Sequence, residues 1–225
     1  MPEERVPSGQ ISEMGILNLL SAKVPEDIAG INSISNVGVV LIPEHLAACL
    51  AKIPMSDVGS IASIPTGENI NLLIGQITLT GEALAGGDPE KILVVVGQLL
   101  IKNVVEAVGY KGIHAIGQIC AIRGSEGPLG AKLIHLNGQI IYLPANPRFF
   151  MGSETIGKEY LELLPEAEPL VIMGELTIEK EVPAELLKSK IPEIVLMGLI
   201  KVPKHLHPLV QVLTKEKMGE IEIYE

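Results

Sequence analysis

The chain has 225 residues, a formal net charge of −10 and an apolar fraction of 47%. A chain of this length can bury a substantial core, and its acidic balance argues against binding to the phosphate backbone of nucleic acids. The apolar residues include only two Phe, four Tyr and no Trp. A core made almost wholly of Ile, Leu and Val suits a narrow, regular interior in which similar side chains stack in layers.

A glycine recurs along the chain at the centre of short apolar segments. The residue two positions after it is aliphatic in every copy, and most copies carry Ile, Leu or Met four positions before it. Alternation with a period of two is typical of a β-strand with one buried face. Successive glycines lie 16 to 36 residues apart, with most spacings near 21. They are Gly38, Gly59, Gly75, Gly97, Gly117, Gly138, Gly174, Gly198 and Gly219.

A unit of ~21 residues with one strand cannot bury its apolar face alone, but it can do so when stacked on its neighbours. The pattern therefore predicts a repeat solenoid, namely a parallel, β-helix-like β-solenoid of about nine to ten turns with short helical or loop returns. Its outline resembles leucine-rich-repeat and β-helix solenoids, although the leucine-rich consensus is absent. The alternative is a pair of α+β domains, the first ending near Pro147 and the second beginning near Gly174.

In chain order, we expect an N-terminal cap or extension over 1–30 and glycine-centred repeats over 31–144. Residues 145–169 are predicted to form an insertion or a degenerate repeat, and 170–225 hold the C-terminal repeats. The last repeat is expected to be a strand with an open edge that invites a further strand. The charges of Glu222 and Glu225 are placed to oppose such pairing.

The residue after the glycine is glutamine in four successive repeats and glutamate in two later ones. If the strands stack in register, these amides lie above one another on the outer face and hydrogen-bond along the stack, as in other Asn and Gln ladders. We interpret the ladder as stabilising the sheet, and the alternative is a binding surface for a partner protein or a polysaccharide. The candidate interaction face consists of Gln76, Gln98, Gln118, Gln139 and Glu175.

Two further features leave alternatives open. The residue just before the glycine is Val, Ile or Met in every copy except Asn137. On a flat strand this column would form an exposed apolar ribbon, whereas a bulge at the glycine, which we favour, turns it into the core.

Arg148, Phe149 and Phe150 interrupt the repeat. Their phenyl rings are expected to plug the core there, and a hot spot for a partner is the alternative.

Few residues point to chemistry. His114 and His135 each lie three residues before a glycine and would be neighbours in adjacent repeats, but a metal site needs further ligands. Cys49 and Cys120 lie in apolar surroundings and are expected to be free thiols. We therefore predict no catalytic, cofactor-binding or metal-binding residues and no enzymatic activity.

The predicted function is that of a non-enzymatic structural scaffold or self-assembling subunit, whose partner is itself, in a homo-oligomer or filament, or another protein. A module that binds a protein or a polysaccharide is the alternative, and a metal-dependent enzyme using His114 and His135 is the third hypothesis. No apolar run approaches the ~18 residues of a membrane span. We expect no membrane span, no nucleic-acid partner and a cytoplasmic location.

Overall fold

The computed structural model describes residues 7–225 as a mainly β structure with parallel strands and short helices. Residues 1–6, which begin the predicted N-terminal extension, lie outside the described residues. The strands are β1 Gly9–Asn18, β2 Ile31–Pro43, β3 Met55–Ile64, β4 Asn69–Leu79, β5 Lys91–Ile101, β6 Gly112–Ile122, β7 Leu133–Leu143, β8 Arg148–Phe150, β9 Ser153–Ile156, β10 Leu170–Ile172, β11 Glu175–Ile178, β12 Ile194–Leu196, β13 Leu199–Pro203, β14 Thr214–Lys217 and β15 Glu220–Tyr224.

Short helical returns join many of the strands. The α-helices are α1 Pro25–Ile28, α2 Ala47–Leu50, α3 Gly81–Ala85, α4 Glu126–Lys132, α5 Lys158–Leu163, α6 Ala184–Lys190 and α7 His207–Leu213, and a 3₁₀ turn spans Glu44–Leu46. Proline begins several returns because it lacks an amide hydrogen and suits the start of a helix; Pro183, for example, is the N-cap of α6. Over residues 7–225, no helix is long and apolar enough to cross a membrane.

The strands form four open sheets. Their orders are β1-β2-β3, β4-β5-β6-β7, β8-β10-β12-β14 and β9-β11-β13-β15. The registers of β1 with β2, β5 with β6 and β10 with β12, among others, are all parallel. The parallel, mainly β class predicted from the period of two is therefore confirmed. None of the four sheets closes on itself.

The chain divides into two compact units, Met1–Ile70 and Asn71–Glu225. The alternative of two domains placed the boundary between Pro147 and Gly174 instead. That segment contains β8, β9 and α5, and its strands pair in parallel with β10 and β11 of the following repeat. The segment 145–169 thus supplies strands to sheets that continue through the C-terminal repeats.

In the first unit, β2 lies between β1 and β3. Glu13, Asn36 and Asp57, each two residues before a glycine, have left-handed backbone conformations with φ of 59°, 51° and 54°. The strands pair through the residues before and after these three but not through the three themselves, so all three strands bulge at the same level. As a result, Val37 just after the bulge turns inward, is 1% exposed and belongs to the core of this unit.

The second unit contains two kinds of repeat. In β5, β6 and β7 the strands are continuous through the glycine, with Gly97, Gly117 and Gly138 in register. In the four later repeats a Met-Gly pair, beginning with Met151-Gly152, separates two shorter strands that belong to different sheets. We call these four segments the Met-Gly repeats.

The sheet β4–β7 buries side chains on both faces. Leu99 and Ile119 point into one cluster with Leu84 of α3 and Leu129 of α4. Leu100, Cys120 and Ile122 belong to a second cluster, which they share with Val171 and Val195 of the Met-Gly repeats. The two sets of repeats in the second unit therefore pack face to face.

Candidate functional site

The recurring glycines are explained by close contact between successive backbones. A Cβ atom on Gly38 would lie 2.5 Å from the carbonyl oxygen of Gly15, and one on Gly59 would lie 2.6 Å from that of Gly38, distances that real Cβ atoms essentially never show. The approach is closer still in the second unit. The stacked glycines are Gly15, Gly38 and Gly59 in the first unit; Gly75, Gly97, Gly117 and Gly138 in β4–β7; and Gly152, Gly174, Gly198 and Gly219 in the Met-Gly repeats.

Two of these glycines, Gly15 and Gly152, were missed in the sequence. Gly15 lies within the segment 1–30, for which the sequence predicts a cap or an extension, and Gly152 follows Gly138 by only 14 residues. The second unit also divides its glycines into two stacks, where the sequence predicted one column with an insertion or a degenerate repeat over 145–169. The physical reason is that the Met-Gly repeats form sheets of their own and pack beside the earlier strands through a shared apolar cluster.

Backbone hydrogen bonds tie the Met-Gly repeats together in a fixed pattern. The carbonyl of Gly152 accepts from the amide of Glu175 at 2.8 Å, that of Gly174 from Leu199 at 2.8 Å, and that of Gly198 from Glu220 at 3.0 Å. In each case the donor is the residue after the next glycine. The carbonyl of Gly219 holds the same place in the last repeat, at the edge formed by β14 and β15.

The glutamines form a hydrogen-bonded ladder along β4–β7. The amide nitrogen of Gln76 donates to the Oε1 of Gln98 at 2.6 Å, and that of Gln98 donates to Gln118 at 2.5 Å. Gln139 lies in register with Gln118. The ladder has one polarity, since both bonds run from the amide nitrogen of one repeat to the amide oxygen of the next.

The Met-Gly repeats contact the far end of this ladder. Gln139 donates to the sulfur of Met218 at 3.1 Å, and Gln118 lies 3.8 Å from the same sulfur. Glu175, the fifth residue of the candidate interaction face, lies on β11 and forms an ion pair with Lys201 at 2.7 Å. The structure thus joins the four glutamines in one row and places Glu175 elsewhere.

Replacing Gln98 with alanine tests what the ladder contributes. The half-buried Gln98 side chain makes both ladder bonds, so we expect a loss of about 1–3 kcal/mol in the free energy of unfolding. Urea titration followed by circular dichroism measures this change. Gln211→Ala, at an exposed position of α7, is the matched control and should change stability by less than about 0.5 kcal/mol. Equal stability of the two variants would contradict a stabilising ladder.

The apolar residue before each glycine has different surroundings in the two units. In the first unit the bulge turns Val37 into the core. In β5 and β6, Val96 and Ile116 lie on the same face as Gln98 and Gln118, because residues alternate along a strand, yet they are only 3% and 6% exposed. Met173 and Met197 pack partly buried against the cluster shared by the two sets of repeats.

Arg148, Phe149 and Phe150 form β8 and lie within the second unit's packing. Phe150 is 7% exposed in the core of the Met-Gly repeats, and Phe149 packs against the shared cluster. Arg148 forms two hydrogen bonds to the carboxylate of Glu168, at 2.6 and 3.1 Å, and this pairing raises the pKa of the guanidinium. The arrangement resembles the predicted core plug more than a free hot spot.

The candidate metal pair does form a contact. The rings of His114 and His135 stack with centroids 5.6 Å apart. Among residues 7–225, no three His, Cys, Asp or Glu side chains are grouped so that they could hold a metal ion. Burial raises the pKa of the Cys120 thiol to about 11, so this thiol stays protonated near neutral pH and is a poor nucleophile.

Two clefts have polar linings. One of about 360 Å³ in the second unit is lined by Glu82, Asn103 and Asn146, among others. Asn103 donates to Glu82 at 2.7 Å, which lowers the pKa of that carboxyl. The other, of about 330 Å³ in the first unit, includes His45, whose Nδ1 lies 2.7 Å from the Thr66 hydroxyl and whose Nε2 lies 2.9 Å from the Lys23 carbonyl. Structural hydrogen bonds therefore occupy Asn103, Glu82 and His45.

Three strand edges lie together at one end of the second unit. β7, β14 and β15 are each the outermost strand of a sheet, and the bond from Gln139 of β7 to Met218 places them side by side. Three apolar side chains here, Ile134, Met218 and Ile223, are 55%, 42% and 47% exposed. We call this surface the β7/β14/β15 edge. The opposite edge of the Met-Gly sheets is formed by β8 and β9.

Comparisons with protein-family models, with curated proteins and with solved structures give no match to this chain. Its function is therefore argued from its own geometry.

Proposed function

We propose that this chain is a non-enzymatic structural scaffold, a β-solenoid subunit that self-assembles through the edges of its sheets. The observation that carries the proposal is the β7/β14/β15 edge. An outer strand presents backbone N–H and C=O groups that can pair with a further strand, and exposed apolar side chains beside them add buried area when it does so.

The repeat geometry supports a solenoid. Within each stack a repeat lays its strand parallel to the previous one, with glycine against glycine, and layers of Ile, Leu and Val fill the interior. Each layer added to a stack therefore adds an interface with the layer before it, and stability grows with the number of such interfaces. An end repeat whose outer face resembles the inner interfaces is then a natural place for a further copy to add.

The side chains that are able to perform chemistry support a structural role. His45 is fixed by Thr66 and by the Lys23 carbonyl, and Cys120 is buried with a raised pKa. The glutamine ladder is hydrogen-bonded within itself and to Met218. These contacts favour a scaffold over an enzyme or a module that binds through the ladder.

Self-association is tested with the full chain and one edge variant. We expect wild-type protein to form concentration-dependent oligomers in light scattering and elongated particles in negative-stain microscopy. Ile223→Lys places a charge on the β7/β14/β15 edge, where a further strand would cover it, and should weaken association at least about tenfold.

Leu163→Lys is the matched control, because Leu163 is 81% exposed on α5 and lies outside the edge strands. It should associate as the wild type does. Wild-type particles that stay monomeric across the full range of concentration and salt would refute self-assembly.

A further inference from the structure

Two columns of side chains point into the core of the Met-Gly repeats. In register, the first column contains Phe150, Ile172, Leu196 and Lys217, and the second contains Glu154, Leu176, Ile200 and Ile221. All the apolar members belong to, or pack against, one cluster. Each column thus has one charged residue, and it lies at an end.

The two charges lie at opposite ends and have opposite signs. Glu154 is on β9, at the first repeat of the stack, and Lys217 is on β14, at the last. Both are exposed at these edges. A charge in an inward column at an edge blocks pairing with an apolar strand, but it is compatible with a partner that brings the opposite charge.

We propose that the β8/β9 edge of one copy docks on the β14/β15 edge of a second copy, head to tail and in glycine register, so that Glu154 and Lys217 face each other diagonally across the two layers of the junction. This inference rests on the proposed self-assembly and names the surface that the β7/β14/β15 edge binds. In this register Phe150 lies next to Lys217, and Glu154 lies next to Ile221. The two columns share one core, so Lys217 and Glu154, one layer apart in the two columns, can pair with each other as they leave water, which buried charges require.

The backbone at the two edges is complementary in the same register. Within the stack, each glycine carbonyl accepts from the residue after the next glycine, so the Gly219 carbonyl would accept from the amide of Ser153. Gly152 has no atom within 4 Å on the side where a Cβ would stand. That is the side on which the other glycines of this stack receive a carbonyl, and Gly219 of a second copy would supply it.

The glutamine ladder also has a direction along its row. Gln76 donates its amide nitrogen to Gln98 at the first end, and Gln139 donates its amide nitrogen to Met218 at the last, so the two ends of the row present different groups. Because the two surfaces differ, the contact is heterologous and generates an open filament unless a rotation closes it into a ring.

Charge reversal at the two positions tests the register. Lys217→Glu and Glu154→Lys each place like charges at the junction of the two copies, so each variant alone should associate at least about tenfold more weakly than the wild type. An equimolar mixture of the two variants restores an opposite-charge pair at every junction and should recover assembly, as should the double variant. Sedimentation velocity measures all four samples. Since both side chains are exposed, folding should be unaffected, and circular dichroism verifies it.

Lys204→Glu, a charge reversal at an exposed position between β13 and α7, is the control and should assemble normally. If the wild type assembles and the single variants assemble equally well, or if the mixture is not rescued, the two residues do not meet and the proposed register is wrong while self-assembly stands. If the wild type does not assemble at all, both the self-assembly and this register fail.

Discussion

Replacing Gly117 with alanine is expected to lower the free energy of unfolding by about 4 kcal/mol or more. The added Cβ would overlap the carbonyl of Gly97, and Gly117 also has φ of +127°, a conformation that residues with a side chain rarely adopt. The obstructing atoms belong to the neighbouring backbone, which cannot move without disturbing the ladder of β5 and β6. Thermal and urea unfolding of the variant measure the loss.

Two other glycines separate the causes of this effect. In Gly198→Ala the added Cβ would also overlap the carbonyl of Gly174, but Gly198 has no positive φ. Its free energy of unfolding should therefore fall by the steric part of the loss and not by the conformational part. Gly130→Ala has open space around it and lies in α4, where alanine favours the helix by about 1 kcal/mol. A Gly117 variant as stable as the Gly130 variant would show that the backbones are not in close contact.

Replacing Val195 with aspartate is expected to cost about 3–5 kcal/mol or to prevent folding of the second unit. Val195 is fully buried in the cluster that joins β12 to Leu100, Cys120 and Ile122. A carboxylate there has apolar neighbours and loses its hydration. Because the residue lies between the two sets of repeats, the variant should also show increased labelling of Cys120 by a thiol reagent.

Val212→Asp is the control for that substitution. Val212 lies on α7 and is 66% exposed, so an added carboxylate keeps its water and the stability should change by less than about 0.5 kcal/mol. Comparable losses for the two variants would argue that the cluster around Val195 is not a packed interface.

The strands and their parallel stacking were predictable because the signal is local. Aliphatic residues alternate around each glycine, and the glycine itself marks the close approach of backbones, as between Gly97 and Gly117. The hydrogen-bonded ladder of Gln76, Gln98 and Gln118 followed from register alone. These features depend only on the position of a residue within its repeat.

The packing of one set of repeats on another was not predicted, because it joins residues far apart in the chain. A signal was present: in β5 the run Ile92 to Val96 is apolar without alternation, and all five residues are buried. Continuous apolar runs are typical of parallel strands covered on both faces. The period of two, taken alone, predicts one exposed face.

The charged residues of the proposed docking surface also could not be predicted from the sequence. Lys217 and Glu154 enter inward columns only through the observed register with Leu196 and Leu176, and Glu154 lies in the segment 145–169, for which the sequence predicts an insertion or a degenerate repeat. From the sequence, Glu222 and Glu225 are the predicted edge charges instead. The structure places Glu222 opposite Lys201 on the neighbouring strand.

The contact between identical backbones in each glycine stack determines how the protein can change in length. Altering one repeat by itself disturbs two neighbours, but an in-frame duplication of an entire repeat inserts a new layer whose upper and lower surfaces match those already present. Gly174 and Gly198, for example, each receive the carbonyl of the glycine before them, and a copied layer would satisfy both. Length is thus a variable that genetic duplication can adjust in whole layers, with no redesign of the layers on either side.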